Sequence, residues 1–281
     1  MAEIYLGYDP GGDGALGVAA INGEQALCAT VATAQDAINW LTQQCGQQTP
    51  AALGLDTLTL WSTGSAGWRP ADRALRQAYP VVSNSIVAPN SLYGAMCING
   101  AAAGLTLRQQ FPAMLITETH PKVLYSAFTG DVYDFTGNHD GMTQQLAGWL
   151  QLAVPAIPTD HAWDALISAY AARAWHTKEW TTDLHQLPAN PHESLVWPMG
   201  PAAYAWPTAI SPAGDAPMPA RGIAPKRPRW QVAVDVLHAS GHHEVAQQVQ
   251  KYRNAKNERA GWDAWLKARF PELWNLVSQH E

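Results

Sequence analysis

Charge is scarce in this chain: only 14% of its 281 residues are Asp, Glu, Lys or Arg. Each carboxylate in an apolar setting therefore needs a physical reason to be there. Cysteine is scarcer still. Cys28, Cys45 and Cys97 are odd in number and never spaced as CxxC, so neither a disulfide framework nor a cysteine-built zinc site is indicated and they read as small core residues. No apolar run reaches the roughly 18 residues of a membrane span, and no basic segment leads into an apolar stretch at the start. The setting expected is cytoplasmic, without a membrane partner. With 47% hydrophobic residues, a disordered or fibrous chain is excluded as well.

What charge there is lies unevenly. Residues 1–220 hold 7 Lys and Arg against 17 Asp and Glu, whereas residues 221–281 hold 10 against 6. An acidic body opposes broad attachment to a phosphate backbone, and a basic appendage could supply part of the missing attraction. Between Pro188 and Pro228 stand ten of the 20 prolines, which forbids long helices there and suggests an extended connector. The division expected is a body over residues 1–200, a Pro-rich connector over 201–229 and a basic helical extension over 230–281.

The hydrophobic pattern makes the body α/β. Residues 3–8, 15–21 and 25–31 read as an antiparallel meander whose first turn is the Gly-rich stretch after Asp9, and Thr33 stands where it can cap a helix over 33–44. Short apolar runs at 51–55 and 114–117 read as buried parallel strands. Helices are expected over 70–79, 91–111, 141–151 and 160–176, with a short one opening on Pro121 and a last strand at 195–197. The extension should form two or three helices.

Three carboxylates, Asp9, Asp56 and Glu118, each close one of these strands, and the carboxyl ends of strands in an open α/β sheet are where ligands bind. A fourth, Asp164, shares a helix face with His161 and Asp160 at spacings of three and four. Unpaired carboxylates brought together repel one another unless divalent cations lie between them, and oxygen ligands suit Mg²⁺ or Mn²⁺. The scheme this suggests is two-metal hydrolysis of a phosphodiester. Asp9 would bridge the ions, Asp56 and Asp164 would complete one each, and Glu118 or His161 would orient water or complete a shell. Arg69, Arg76 and Lys122 are the candidates to hold substrate phosphate. For Arg69 and Arg76, an intrahelical ion-pair set with Asp72 is an equally weighted reading. In the tail, His238, His242 and His243 have helical spacing that a metal could use but no further ligands nearby, and Lys226, Arg227, Arg229, Lys251, Arg253, Lys256 and Arg259, interleaved with Trp230, Tyr252, Trp262 and Trp265, read either as a nucleic-acid surface or as part of a helical cap whose tryptophans pack on the body.

The run LGYDPGGDGALGV resembles the opening strand of RuvC-type Holliday junction resolvases and other RNase H-like enzymes, and the HAWDAL run at 161–166 is similar to the HxxDA helix near the end of that domain. A closer resemblance is to the predicted nucleases with an RNase H fold grouped as domain-of-unknown-function family 429. It rests on Gly54-Leu55-Asp56, on the GWRPADRALR run at 67–76, on Glu118-Thr119-His120-Pro121, on the helix from Trp163, and on Val196-Trp197-Pro198. The chain departs from that pattern at Thr57–Leu60 and in its C-terminal extension. The resemblance spans residues 1 to 200 and implies an RNase H-like mixed sheet and a metal-dependent nuclease acting on DNA or RNA. Two alternatives stay open: an inactive RNase H-like binding module, and an actin-like ATPase or kinase, for which no second phosphate loop is found. A protein partner on the extension and a homo-oligomer are also left open.

Overall fold

The computed structural model describes residues 2–12, 14–62, 67–87, 94–189, 195–212, 229–253 and 261–278. The chain divides into two compact units, Met1–Ala216 and Pro217–Glu281. The first begins with strands β1 (Ile4–Gly12), β2 (Ala15–Asn22) and β3 (Gln25–Val31), then helix α1 (Ala34–Cys45) and strands β4 (Ala52–Leu55) and β5 (Trp61–Ser62). Helices α2 (Pro70–Ala78) and α3 (Gly94–Gln110) lead to β6 (Leu115–Glu118), followed by α4 (Pro121–Thr129), α5 (His139–Leu150) and α6 (Asp160–His176). Three two-residue strands close it: β7 (Thr182–Asp183), β8 (Leu195–Val196) and β9 (Ala205–Trp206).

Five strands form one mixed sheet in the order β3-β2-β1-β4-β6. The first three pair antiparallel, and β4 and β6 add in parallel to β1. Alternation along β1 divides its side chains between two cores. Ile4, Leu6 and Tyr8 join Leu16, Val18 and Ala20 of β2 beneath α1 and α3. Tyr5 joins Ala19 and Ile21 on the other side, where α6 packs. Asp9 continues the second face, so the same period that buries Tyr5 aims this carboxylate toward α6. Thr33 caps α1 as the sequence suggested, its hydroxyl accepting from Asp36 N–H, and Thr159 caps α6 in the same way through Ala162 N–H.

Glycine sets how close α6 comes. A Cβ on Gly7 would lie 1.9 Å from Ala165 O, one on Gly17 would lie 1.8 Å from His161 O, and one on Gly54 would lie 2.0 Å from Ser168 O. Three neighbouring strands thus leave a trough in which the backbone of an alanine-rich helix rests directly on the sheet. Gly54→Ala is expected to push α6 outward. The cost should reach the upper end of the about 1–3 kcal/mol typical of overpacking, because the clash is with backbone; a denaturant melt measures it. The same shift would carry Asp164 away from the strand ends.

The body extends further than composition suggested. Composition places Ala202–Trp206 in the connector, but these residues are buried and paired. Ala203 N–H donates to Ile116 O at 2.9 Å, Glu118 N–H donates to Ala203 O at 2.7 Å, and β9 pairs with β7. Proline forbids helix here, yet an edge segment needs none, and Tyr204 and Trp206 supply apolar area. Two other short strands were not expected. β5 pairs with β8 in a region read as loop, and β7 had no apolar run to announce it.

Among the described residues the second unit holds four helices, where the sequence pattern predicts two or three: α7 (Arg229–Ala239), α8 (His243–Arg253), α9 (Gly261–Arg269) and α10 (Pro271–Ser278). They close over Ala233, Val234, Leu237, Ala246, Val249, Leu266 and Val277, with Trp265 and Trp274 packed against that cluster. The side chains of the basic residues named for the nucleic-acid surface, and those of Trp230, Tyr252 and Trp262, lie outside the described residues. Among the described residues, no helix is long and apolar enough to cross a membrane.

Candidate metal centre

Asp9 and Asp56 stand at the ends of β1 and β4, and Asp164 comes down from the first turns of α6. One carboxylate oxygen from each lies within 4.8 Å of the others, the only such group of three or more His, Cys, Asp or Glu among the described residues. Asp9 and Asp164 are 2% and 4% exposed, so bulk water does not screen them. Asp56 is partly exposed and lines the same cavity, whose volume is about 280 Å³.

Asp9 is fixed at both oxygens. Gly11 N–H donates to Oδ1 at 2.8 Å in a turn whose Gly11 has φ 51°, a left-handed conformation that glycine adopts without strain. His161 Nδ1 lies 2.6 Å from Oδ2, and because a carboxylate only accepts, that nitrogen carries the proton. Asp164 is held less well: its buried Oδ1 has no hydrogen-bond partner. The Tyr133 hydroxyl beside it makes no hydrogen bond of normal length yet is near enough to favour the Asp164 carboxylate, and its own pKa is driven up, first by burial and then by the charge of Asp164 and hydrogen bonding toward it. No sequence signal marked Tyr133, which sits in the irregular segment between α4 and α5.

Electrostatics follow from this crowding. Burial, then the charge of Asp9, holds Asp164 well above the ordinary carboxylate range. Asp56 is raised by loss of water and by Asp9 and Asp164, with Lys122 working in the opposite direction. His161 is raised by its hydrogen bond to Asp9. All three shifts weaken the metal-free protein as pH rises. Each contribution is intact below the unfolded pKa, about 4 for Asp and about 6.5 for His, and is lost as pH climbs through the raised folded value. Urea melts of metal-free protein should therefore show stability falling from pH 5 to pH 8, and divalent metal should reverse the trend.

Glu118 does not join the triad. Although it lines the cavity, its Oε1 accepts from Arg69 Nη2 at 2.6 Å and its Oε2 from Arg69 Nη1 at 2.8 Å. Thr59 adds its N–H at 2.7 Å and its hydroxyl at 2.9 Å to Oε2. Burial alone would raise the Glu118 pKa, but the Arg69 guanidinium, with His185 nearby, holds it well below the usual range. The Thr57–Leu60 run thus helps to secure this carboxylate, through Thr59 directly and through Leu60 O on Arg69. His185, 3.4 Å from Glu118 Oε2, is another residue without a sequence signal.

Arg69 is correspondingly not a phosphate ligand. All five of its N–H groups are engaged: Nε and Nη2 on Asp72, Nη1 and Nη2 on Glu118, and Nη1 on Leu60 O. It is 1% exposed. Arg76 donates to Ser83 O and Ile86 O and stacks over Trp68 at 5.0 Å, holding the turn over Pro80–Ser85 in place rather than facing the cavity. Of the three proposed phosphate-binding cations, only Lys122 stands exposed on the cavity wall, its Nζ 5.6 Å from the Tyr133 ring centroid. In the second unit the Nδ1 atoms of exposed His238 and His243 lie 2.9 Å apart, a hydrogen bond between rings, and no third ligand joins them among the described residues.

No protein-family model matches the chain, and neither a curated protein nor a solved structure does. The functional reading therefore rests on this geometry and on the motifs in the sequence.

Proposed function

We propose that this protein is an RNase H-like, divalent-metal-dependent nuclease that hydrolyses phosphodiester bonds in DNA or RNA. The observation that carries the reading is the meeting of Asp9, Asp56 and Asp164 from three separate elements, with one buried oxygen of Asp164 left without a partner. Fixed like charges at this spacing are costly unless a multiply charged cation neutralises them. An all-oxygen donor set suits Mg²⁺ or Mn²⁺. The sheet supports the same reading, since an antiparallel meander continued by parallel strands is the RNase H-like arrangement, with Asp9 on its first strand.

Asp9, Asp56 and Asp164 would hold the metal. Bound there, it would polarise a phosphoryl oxygen and make water a better nucleophile. His161 keeps Asp9 oriented, and Lys122 offers a charge to a substrate phosphate. Covalent catalysis by Cys97, which also lines the cavity, is disfavoured because burial raises its pKa and keeps the thiol protonated. The test is cleavage of labelled single-stranded DNA, RNA and hybrid duplex with Mn²⁺, with Mg²⁺ and with chelator. Metal-dependent, chelator-abolished cleavage is expected; chelator-insensitive cleavage, or none together with no Mn²⁺ uptake by calorimetry, would refute the reading and favour a binding module.

A further inference from the structure

Resting on the hydrolase reading above, we infer that the site accepts one nucleotide at a strand end, its base seated in the apolar part of the cavity, rather than gripping a duplex along its length. Beyond the triad, the cavity is walled by Leu58, Ile86, Val87, Met96 and Cys97. A phosphate has no use for such a wall. A flat, weakly polar base does: bases taken out of a stack are held between apolar side chains, with polar atoms reserved for the edge, and exposed Asn84 lies on the same lining. The volume of about 280 Å³ falls just below the range of small-molecule pockets, roughly 300–1,000 Å³. It matches one nucleotide unit, not an extended tract.

Charge limits the number of phosphates in the same way. Of the 7 Lys and Arg in residues 1–220, only Arg69 and Lys122 line the cavity, and Arg69 has every donor committed. The segments 63–66, 88–93 and 190–194 contain no Lys or Arg. His120 on the same wall adds no positive charge, because burial lowers its pKa to about 4, and His161 is engaged with Asp9. Among the described residues that line the cavity, Lys122 alone is left to meet a phosphate. Duplex binders neutralise many more.

In the reaction, an oxygen of water bonds to phosphorus as the bond from phosphorus to the bridging oxygen breaks. One proton of the water passes to the departing hydroxyl; the other leaves with the phosphomonoester or goes to solvent. Nothing is oxidised or reduced.

The test uses the full chain with Mn²⁺ and two esters, thymidine 5′-(p-nitrophenyl phosphate) and base-free bis(p-nitrophenyl) phosphate. The nucleoside ester should be preferred in kcat/KM by about tenfold or more, as expected from stacking of one base. Met96→Trp, which fills the apolar wall, should collapse that preference. On an end-labelled single strand, mononucleotides should appear from the outset. Raising NaCl from about 50 to about 200 mM should cost about threefold in kcat/KM for one phosphate contact, against more than about a hundredfold for six. Internal fragments, a hundredfold salt effect, or equal use of both esters would overturn the inference and leave the hydrolase reading standing. Failure to hydrolyse either ester or the strand would sink both.

Discussion

Asp164→Asn is expected to raise the stability of the metal-free protein while abolishing hydrolysis. The side chain is 4% exposed, one of its oxygens has no partner, and its neighbours are Asp9 and Asp56. An amide of the same shape removes the repulsion and the cost of burying a charge. Relieving an unsatisfied buried charge is worth about 1–3 kcal/mol, and each kcal/mol moves the midpoint of a unit this size by about 2–4 °C. The gain should be largest at pH 8, where the wild-type carboxylates are pressed to ionise, and should shrink toward pH 5. Activity should move the other way. Loss of a residue that merely supports a metal ligand costs about 10–100-fold, so loss of a ligand itself should exceed about 100-fold. Differential scanning calorimetry beside a single-turnover assay reads both effects. A variant less stable than wild type at pH 8 without metal would mean that Asp164 is partnered rather than strained.

Arg69→Met should have the opposite character, damaging the fold rather than the chemistry. Its guanidinium lies between Asp72 and Glu118, both 2.6 Å from Nη2 and both almost wholly buried. Removing one partner of a buried ion set leaves the rest uncompensated, at about 3–5 kcal/mol. Much of the ordinary stability of a domain, about 5–15 kcal/mol, would be lost. Glu118→Gln makes the comparison sharp, since it loses a charge but retains an oxygen for Thr59 and Arg69. It should destabilise less than Arg69→Met and keep Mn²⁺ affinity within a few-fold of wild type. If Glu118→Gln abolished Mn²⁺ binding in folded protein, Glu118 would have to be returned to the metal centre.

These two variants mark the boundary of what the sequence discloses. Strand ends are legible because alternation and apolar runs locate them, and Asp9 and Asp56 lie where those runs stop. Asp164 is legible because a carboxylate inside an alanine-rich helix has few innocent explanations. The mixed sheet follows from the same periods. What the sequence does not disclose is which partner a buried carboxylate will take. Glu118 has the same one-dimensional signature as Asp56, yet the Thr57–Leu60 loop and the start of α2 bring Arg69 and Thr59 to it, and nothing comparable among the described residues reaches Asp56. Arg69, Asp72 and Arg76 read on a helix surface as a weak charge set because helical spacing says nothing of depth. Tyr204 and Trp206 were hidden by the prolines around them, whose composition outweighed a short edge pairing, and Tyr133 and His185 occupy irregular segments with no period to read.

The centre itself is tested most directly by crystals soaked in Mn²⁺ and measured at a wavelength where manganese scatters anomalously. An anomalous peak in coordination contact with Asp9, Asp56 and Asp164 together, and absent from Asp164→Asn crystals, is the result expected. Wild-type crystals with no peak at the three carboxylates, under conditions that saturate other Mn²⁺ sites, would contradict it.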